Sequence, residues 1–290
     1  MIEKNKSLDA LIVFQKNEIT EYSIYSRLAR YVKDQQNKKL LQSIANDELK
    51  HYQILKSHTQ KKFKANYLKV IFFYWLARIF GLTFGLKLLE RAEQNAQLAY
   101  QHVEILVPEI SQVIEDEEAH EKELINLINE ERLNYVGSMV LGLNDALVEL
   151  TGTLAGLTFA FQNTKLIALS GFITGIAASL SMAVSDYLAK RAEGGEKNAF
   201  KSALYTGIAY VITVVLLVFP YFLVKSYLVC LALVLLLALL IILVFNFYLS
   251  VAKDYSFRKR FFEMAALSLG VAAITFLIGY LLRRLIGIEI

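Results

Sequence analysis

The stretch LVCLALVLLLALLIILV, residues 228–244, contains no charged side chain. With its flanking residues it reaches the roughly 20 apolar residues that an α-helix needs to cross a bilayer. The whole chain is unusually apolar, because 56% of its 290 residues are hydrophobic, whereas soluble domains are about 45–50% apolar. The sequence therefore predicts a membrane protein with a spanning helix at this position.

Four further apolar stretches accompany this one in the second half of the chain. The predicted spans are about 136–160, 166–188, 203–224, 227–250 and 261–282. The first half differs, since residues 1–132 contain 19 Lys/Arg and 19 Asp/Glu, whereas residues 133–290 contain 12 and 8. This change predicts an all-α chain of two domains, a charge-rich helical bundle over 1–132 and a membrane domain of five transmembrane helices over 133–290.

Positive charge in the predicted membrane domain is concentrated in two links between spans. Lys190 and Arg191 follow the second span, and Arg258 and Arg260 follow the fourth. Basic links usually face the cytoplasm, so the N-terminal domain is predicted to be cytoplasmic. The net charge of +4 then reflects topology rather than affinity for nucleic acid. The polar N-terminus and compact size suit a multi-pass protein of a prokaryotic plasma membrane.

Acidic residues inside the predicted spans are candidate ligands for a transported cation, because charge in a membrane is costly and usually functional. Asp145 and Glu149 are four residues apart in the first span and share one helix face. Met182 in the second span adds a softer ligand, which favours a transition metal over magnesium. Each of these residues also has an interpretation without a ligand role. Asp186 and Glu263 would then lie at the membrane interface, and Asp145 near the end of a span. Met182 would serve only in packing.

A second ligand pattern lies in the charge-rich half, where helices are predicted at about 8–33, 36–59, 84–106 and 109–132. The second and fourth of these helices each carry Glu-x-x-His, whose spacing places both ligands on one helix face. The candidate ligands are Glu18, Glu48, His51, Glu93, Glu117 and His120, with Glu21 and Glu90 as additional candidates. One glutamate from each of two helices and Glu-x-x-His from the other two is the pattern of di-iron carboxylate bundles.

The alternative interpretation of a single Glu-x-x-His in a charged helix is a solvent-exposed helix face that binds no metal. Here the chain has only four histidines, and two of them fall in the motif, in alternate helices. Tyr25 and Tyr100 each follow a candidate glutamate by seven residues, or two helical turns. Those positions fit hydrogen bonding or electron relay at the site, and equally fit core packing.

An apolar segment at about 66–86 joins the second and third predicted helices. A single membrane crossing there would place the two Glu-x-x-His motifs on opposite sides of the bilayer, where no shared metal site could form. A long crossover is required at this point of a ferritin-like bundle. We therefore expect an interfacial segment whose aromatic residues lie at headgroup level; a re-entrant pair is the alternative.

These motifs resemble two known families. Residues 1–132 resemble the rubrerythrin-like branch of the ferritin superfamily through their glutamates and paired Glu-x-x-His motifs. Residues 133–290 resemble the vacuolar iron transporter family through GLNDAL at 142–147, AGL at 155–157 and SMAVSDYL at 181–188. The combination is similar to membrane-bound ferritins, which carry both parts in this order.

The resemblance implies proton-coupled export of Fe²⁺ or Mn²⁺ from the cytoplasm by a homodimer of five-helix units, with Asp145 and Met182 lining the ion path. The link between the second and third spans differs from that of the plant and protist members of the transporter family, which insert a glutamate-rich helical domain there. The corresponding link here, 190–202, is short and contains only Glu193 and Glu196. The N-terminal bundle is then the candidate replacement that collects, senses or oxidises iron.

Two alternatives to a transporter remain open on the sequence. The chain could be a membrane-anchored di-iron ferroxidase or other oxidoreductase, with the spans acting mainly as an anchor. Intramembrane carboxylates argue against a plain anchor, and the single cysteine, Cys230, excludes the cysteine-ligated iron domain of peroxide-reducing rubrerythrins. The bundle could instead act as a metal-dependent clamp that gates the pore.

Overall fold

The computed structural model describes residues 2–97, 109–127, 135–194 and 196–286. Within these ranges every regular element is an α-helix, and there are ten of them, so the all-α prediction is confirmed. The chain divides into two compact units, Met1–Glu130 and Glu131–Ile290.

The N-terminal unit contains five helices: α1 (Ile2–Tyr31), α2 (Gln35–Thr59), α3 (Tyr67–Phe80), α4 (Leu82–Gln97) and α5 (Ile110–Leu127). α1 packs along α2, and α5 contacts both α2 and α4. A side-chain cap fixes the start of α2, because the Asp34 carboxylate accepts a 2.8 Å hydrogen bond from the backbone N–H of Asn37. Residues 98–106 and 128–132 of the predicted third and fourth helices lie outside the described ranges.

The apolar crossover forms a helix of its own, α3, which the sequence analysis described only as an interfacial segment. It ends at Gly81, whose φ of 107° is a conformation that favours glycine. Val70, Phe73 and Ala77 are buried along one face of α3, where the helix packs against α1 and α4. The segment thus turns sharply at Gly81 before α4 begins.

The C-terminal unit contains five long helices: α6 (Val136–Phe161), α7 (Thr164–Ala192), α8 (Glu196–Leu223), α9 (Tyr227–Ala252) and α10 (Phe257–Ile286). In the described ranges, these five are long and apolar enough to cross a membrane. The prediction of five spans is therefore confirmed, and the chain is a multi-pass membrane protein.

Helix α6 lies at the centre of this unit and packs against each of the other four helices. Small residues permit the closest approaches, as is common between membrane helices. A Cβ at Gly142 would overlap the backbone oxygen of Thr206 on α8, and one at Gly279 on α10 would overlap the backbone oxygen of Gly156. This packing places the Asn-Asp sequence after Gly142 among the other helices.

Candidate metal centres

Four predicted ligands from three helices meet inside the N-terminal unit. Glu18 comes from α1, Glu48 and His51 come from α2, and Glu117 comes from α5. One potential ligand atom of each lies within 4.8 Å of the others, and all four side chains are buried. We call these residues, together with His120, the Glu/His cluster.

His120 extends the cluster so that two glutamates lie between two histidines. Glu48 has Oε2 3.6 Å from His51 Nδ1 and Oε1 3.7 Å from His120 Nδ1. Glu117 has Oε1 3.3 Å from His51 Nδ1 and Oε2 4.0 Å from His120 Nδ1. Each of these carboxylates therefore presents one oxygen to each histidine, an arrangement suited to two neighbouring cations.

The outer nitrogen of each histidine faces an aspartate that the sequence analysis missed. His51 Nε2 lies 3.1 Å from Asp116 Oδ2, and His120 Nε2 lies 3.4 Å from Asp47 Oδ2. Carboxylates in this position fix the tautomer and orientation of metal-binding histidines. A signal was present in the sequence, because both motifs read Asp-Glu-x-x-His, with the aspartate directly before the glutamate.

Several inward-facing atoms of the cluster are buried and have no hydrogen-bond partner of good geometry in the described part of the chain. They are Glu18 Oε2, Glu48 Oε2, His51 Nδ1 and His120 Nδ1. Buried polar atoms are nearly always paired, and uncompensated buried carboxylates are costly. Oxygen and imidazole donors of this kind suit iron or manganese, so the residues present fit a metal centre.

The electrostatics of the cluster also fit a site for a cation. Burial raises the pKa of Glu18 to about 7, although the contact with His51 acts to lower this pKa. Burial, followed by the charge of Glu117, holds the pKa of Glu48 well above its usual range. For His51, burial alone would lower the pKa, but the contacts with Glu117, Glu18 and Glu48 outweigh it and raise the pKa. The metal-free cluster therefore retains protons where a metal would displace them.

The remaining predicted ligands of the N-terminal unit have different surroundings. Glu21 is buried and close enough for its charge to affect Glu18. Tyr25 is also buried and donates a 2.6 Å hydrogen bond to Glu90 Oε1, which links α1 to α4. The side chain of Glu93 and the whole of Tyr100 lie outside the described part of the structure.

In the membrane unit, Asp145 and Glu149 lie on α6 as predicted, four residues apart. Asp145 is half-buried and Glu149 is exposed. The buried hydroxyl of Tyr210 on α8 donates a 2.7 Å hydrogen bond to Glu149 Oε2. Tyr210 was not predicted from the sequence, because a tyrosine in an apolar span gives no signal of a contact 61 positions away.

Met182 and Asp186 lie one turn apart on α7. Asp186 is buried, and its Oδ2 accepts hydrogen bonds of 2.7 Å from Ser202 and 2.9 Å from Thr206. Met182 is half-buried and packs against the core around Leu147. Asp186 therefore joins α7 to α8 through hydroxyl groups. This structural role was not part of the prediction, which placed Asp186 in the ion path.

The acidic residues predicted for the ion path do not converge as the Glu/His cluster does. Within the described residues, Asp145, Glu149, Asp186 and Glu263 form no group of three with ligand atoms so close together. Glu263 is exposed at the start of α10. Among the described residues, the membrane unit therefore holds no ligand cluster comparable to the Glu/His cluster.

A polar pair between α9 and α10 adds to the polar groups of the membrane unit. Asn246 is buried, and its Nδ2 donates to Met264 Sδ at 3.1 Å. The Oδ1 atoms of Asn246 and of Asn144 are buried without a hydrogen-bond partner in the described ranges. Both amides therefore offer a free oxygen inside the helical core.

Comparison with known proteins identifies the first two membrane helices. Residues 136–196 match the VIT family, a segment that contains Asp145, Glu149, Met182 and Asp186. No curated protein matches the chain. The match supports the resemblance to vacuolar iron transporters over residues 136–196, a family whose members move iron or manganese ions across membranes.

Proposed function

We propose that this chain exports Fe²⁺ or Mn²⁺ from the cytoplasm by proton antiport. The observation that carries the proposal is the VIT family match over residues 136–196, which falls on the helices bearing Asp145, Glu149 and Met182. Hard carboxylate oxygens and a soft thioether together suit a first-row transition metal. Carboxylates within a membrane span are otherwise too costly to keep without a function.

A carboxylate that holds either a proton or the metal supplies the coupling. Asp145 and Glu149 occupy one face of α6, and a divalent cation there repels a proton from the same site. Tyr210 holds the Glu149 carboxylate in place through its hydrogen bond. Binding of cargo on one side then releases a proton, and reprotonation on the other side releases the metal.

The transport unit in this proposal is a homodimer. Glu149 is exposed and Asp145 is half-buried in a single copy, although charged side chains in a membrane face protein or water rather than lipid. A second copy packed against this face of α6 would shield both carboxylates. The ion path would then lie where the two copies meet.

The N-terminal unit is proposed to be a cytoplasmic, ferritin-like di-iron bundle that collects, senses or oxidises iron. Glu18, Glu48, His51, Glu117 and His120 would hold the metal ions, with Glu48 and Glu117 each presenting one oxygen toward each histidine. Iron held there would supply one-electron redox chemistry, with dissolved O₂ as the electron acceptor when Fe²⁺ is oxidised to Fe³⁺. Asp47 and Asp116 hold the histidine rings with Nδ1 directed into the cluster.

The Glu/His cluster also favours a second candidate, a membrane-anchored ferroxidase whose spans serve mainly as an anchor. Its ligand atoms and supporting aspartates are complete enough for redox chemistry without any transport. The two functions differ in what crosses the bilayer, since an oxidase moves no metal. They can also coexist in one chain.

Metal flux into vesicles tests the proposal. Purified protein is reconstituted into liposomes that enclose a metal-quenched dye, and Fe²⁺ or Mn²⁺ is added outside while internal pH is recorded. Antiport predicts saturable quenching with protons moving in the opposite direction. Oxygen consumption on adding Fe²⁺, with no quenching, would instead support the anchored ferroxidase.

A further inference from the structure

Helix α3 is apolar on two opposite faces. One face, Val70, Phe73 and Ala77, is buried in the N-terminal unit. The other carries Leu68, Phe72, Trp75 and Ile79, which are 80%, 56%, 50% and 62% exposed. Their spacing of four, three and four residues forms a continuous helical stripe. Because exposed apolar stripes of this kind mark interaction surfaces, we call these four residues the outer stripe.

The outer stripe cannot belong to a sixth membrane span. Helix α3 has 14 residues, which corresponds to a length of about 21 Å. The hydrocarbon core of a bilayer is about 30 Å thick. The inner face of α3 is also committed to packing against α1 and α4, so the helix presents only one face to any partner.

The segment of sequence that contains α3 carries only positive charge. Residues 49–89 contain eight Lys/Arg and no Asp or Glu, in a chain whose net charge is only +4. Lys61, Lys62 and Lys64 are exposed just before the helix, and Lys69 is exposed in its first turn. Clusters of basic residues beside apolar side chains are attracted to anionic lipid headgroups.

Arginine and tyrosine side chains border α3 on its α1 side. The Arg27 guanidinium lies 4.6 Å from the ring centroid of Tyr74 and 5.9 Å from that of Tyr67. These residues line a groove of about 720 Å³ that also contains Arg30. Tyr, Trp and Arg are the residues that concentrate at the headgroup level of membranes.

We propose that α3 lies in the headgroup region of a bilayer containing anionic phospholipid, with its outer stripe among the upper acyl chains and the neighbouring basic residues on lipid phosphates. Five spans in the same chain ensure that a bilayer is present. A second copy of the chain fits less well, because a two-fold dimer places the same surface against itself and would oppose two sets of basic residues. The inference does not depend on what the protein transports.

The chain supplies its own probe, since Trp75 is its only tryptophan and lies in the outer stripe. The full-length protein is placed in nanodiscs of phosphatidylcholine, with or without phosphatidylglycerol. Trp75 fluorescence is then quenched either by lipids with brominated acyl chains or by aqueous iodide. We expect strong quenching by brominated lipid, weak quenching by iodide, and more lipid quenching when phosphatidylglycerol is present.

Three other results would overturn the proposal in whole or in part. Quenching by iodide but not by brominated lipid would place α3 in water, and protection from both quenchers would place it against protein, such as a second copy. Equal lipid quenching in neutral and anionic bilayers would remove the role of the basic residues.

A pair of variants separates the two contributions. Leu68→Ser with Phe72→Ser weakens the outer stripe while the buried face of α3 is kept, and we expect Trp75 to become several-fold more sensitive to iodide. Lys61→Gln, Lys62→Gln and Lys64→Gln together leave the outer stripe unchanged and should clearly reduce the phosphatidylglycerol effect without exposing Trp75 to iodide. Unchanged helix content and metal titration serve as the folding control; lysine variants that keep the full phosphatidylglycerol effect would contradict the proposal.

Discussion

Asp116 on α5 places its Oδ2 atom 3.1 Å from Nε2 of His51 on α2, and the reciprocal pair joins Asp47 on α2 to His120 on α5 at 3.4 Å. Each Asp-Glu-x-x-His motif therefore supplies a glutamate to the shared cluster and an aspartate to the histidine of the other helix. This reciprocal arrangement ties the orientation of both imidazole rings to the packing of α2 against α5.

Removing one of these aspartates should weaken metal binding without removing a ligand. Asp116→Asn leaves the shape of the side chain but lowers the basicity of His51, and we expect the affinity for Mn²⁺ to fall about 10- to 100-fold. Anaerobic titration of the purified protein measures it. Glu109→Gln is the matched control, because Glu109 lies 3.3 Å from His58 in an exposed pair. Equal losses in both variants would contradict the role given to Asp116.

The metal-free N-terminal unit should lose stability as pH rises. Burial raises the pKa of Glu18 from 4.5 to about 7, so between these values the folded protein binds more protons than the unfolded chain. The free energy of unfolding then falls through this window, by up to about 1.4 kcal/mol per pH unit for one proton. The raised pKa of His51 acts in the same direction at higher pH.

Hydrogen exchange of α2 in the full-length protein, without metal and across this pH window, measures the effect. Glu18→Gln should flatten the pH dependence. Added Mn²⁺ should reverse its direction, since metal binding requires deprotonated ligands and stabilises the folded state. Metal-free protection that increases from pH about 4.5 to 7 would contradict the assignment.

Close helix packing beside Asp145 should make Gly142 intolerant of a side chain. A Cβ at Gly142 would overlap the backbone oxygen of Thr206, whereas one at Gly137 on the same helix would have no atom within 4 Å. We expect Gly142→Ala to destabilise the membrane unit by about 1–3 kcal/mol and Gly137→Ala to have little effect. Thermal unfolding in detergent, followed by size-exclusion chromatography, compares them; similar melting temperatures would refute the packing argument.

Tyr210 should affect transport through Glu149. Tyr210→Phe removes the 2.7 Å hydrogen bond to the carboxylate, and a bond to a charged group is worth about 1.5–3 kcal/mol. We expect flux at low metal concentration to fall about 10-fold. Tyr221→Phe is the control, because this buried tyrosine bonds to Thr158 instead of an acid. A change in flux of the same size in Tyr221→Phe would point to stability rather than to the ion path.

The parts of this account that sequence could predict are those encoded locally. Charge-free runs such as 228–244 located the spans, and the two Glu-x-x-His motifs selected four residues that meet in one cluster with Glu18. Contacts between helices distant in sequence left weaker signals, so Asp116 and Tyr210 were missed. The apolar run at 66–86 had no helical periodicity of its own, because α3 is apolar on both faces, and its division at Gly81 depends on a backbone turn.

The most direct test of the central claim is metal flux through the Asp145→Asn variant, measured in proteoliposomes beside the unchanged protein. Asparagine keeps the size of the side chain but cannot exchange a proton for a cation. The account predicts that saturable Fe²⁺ or Mn²⁺ flux and its opposing proton movement are both lost, while metal binding to the Glu/His cluster is unchanged. Undiminished, proton-coupled flux through Asp145→Asn would contradict the account.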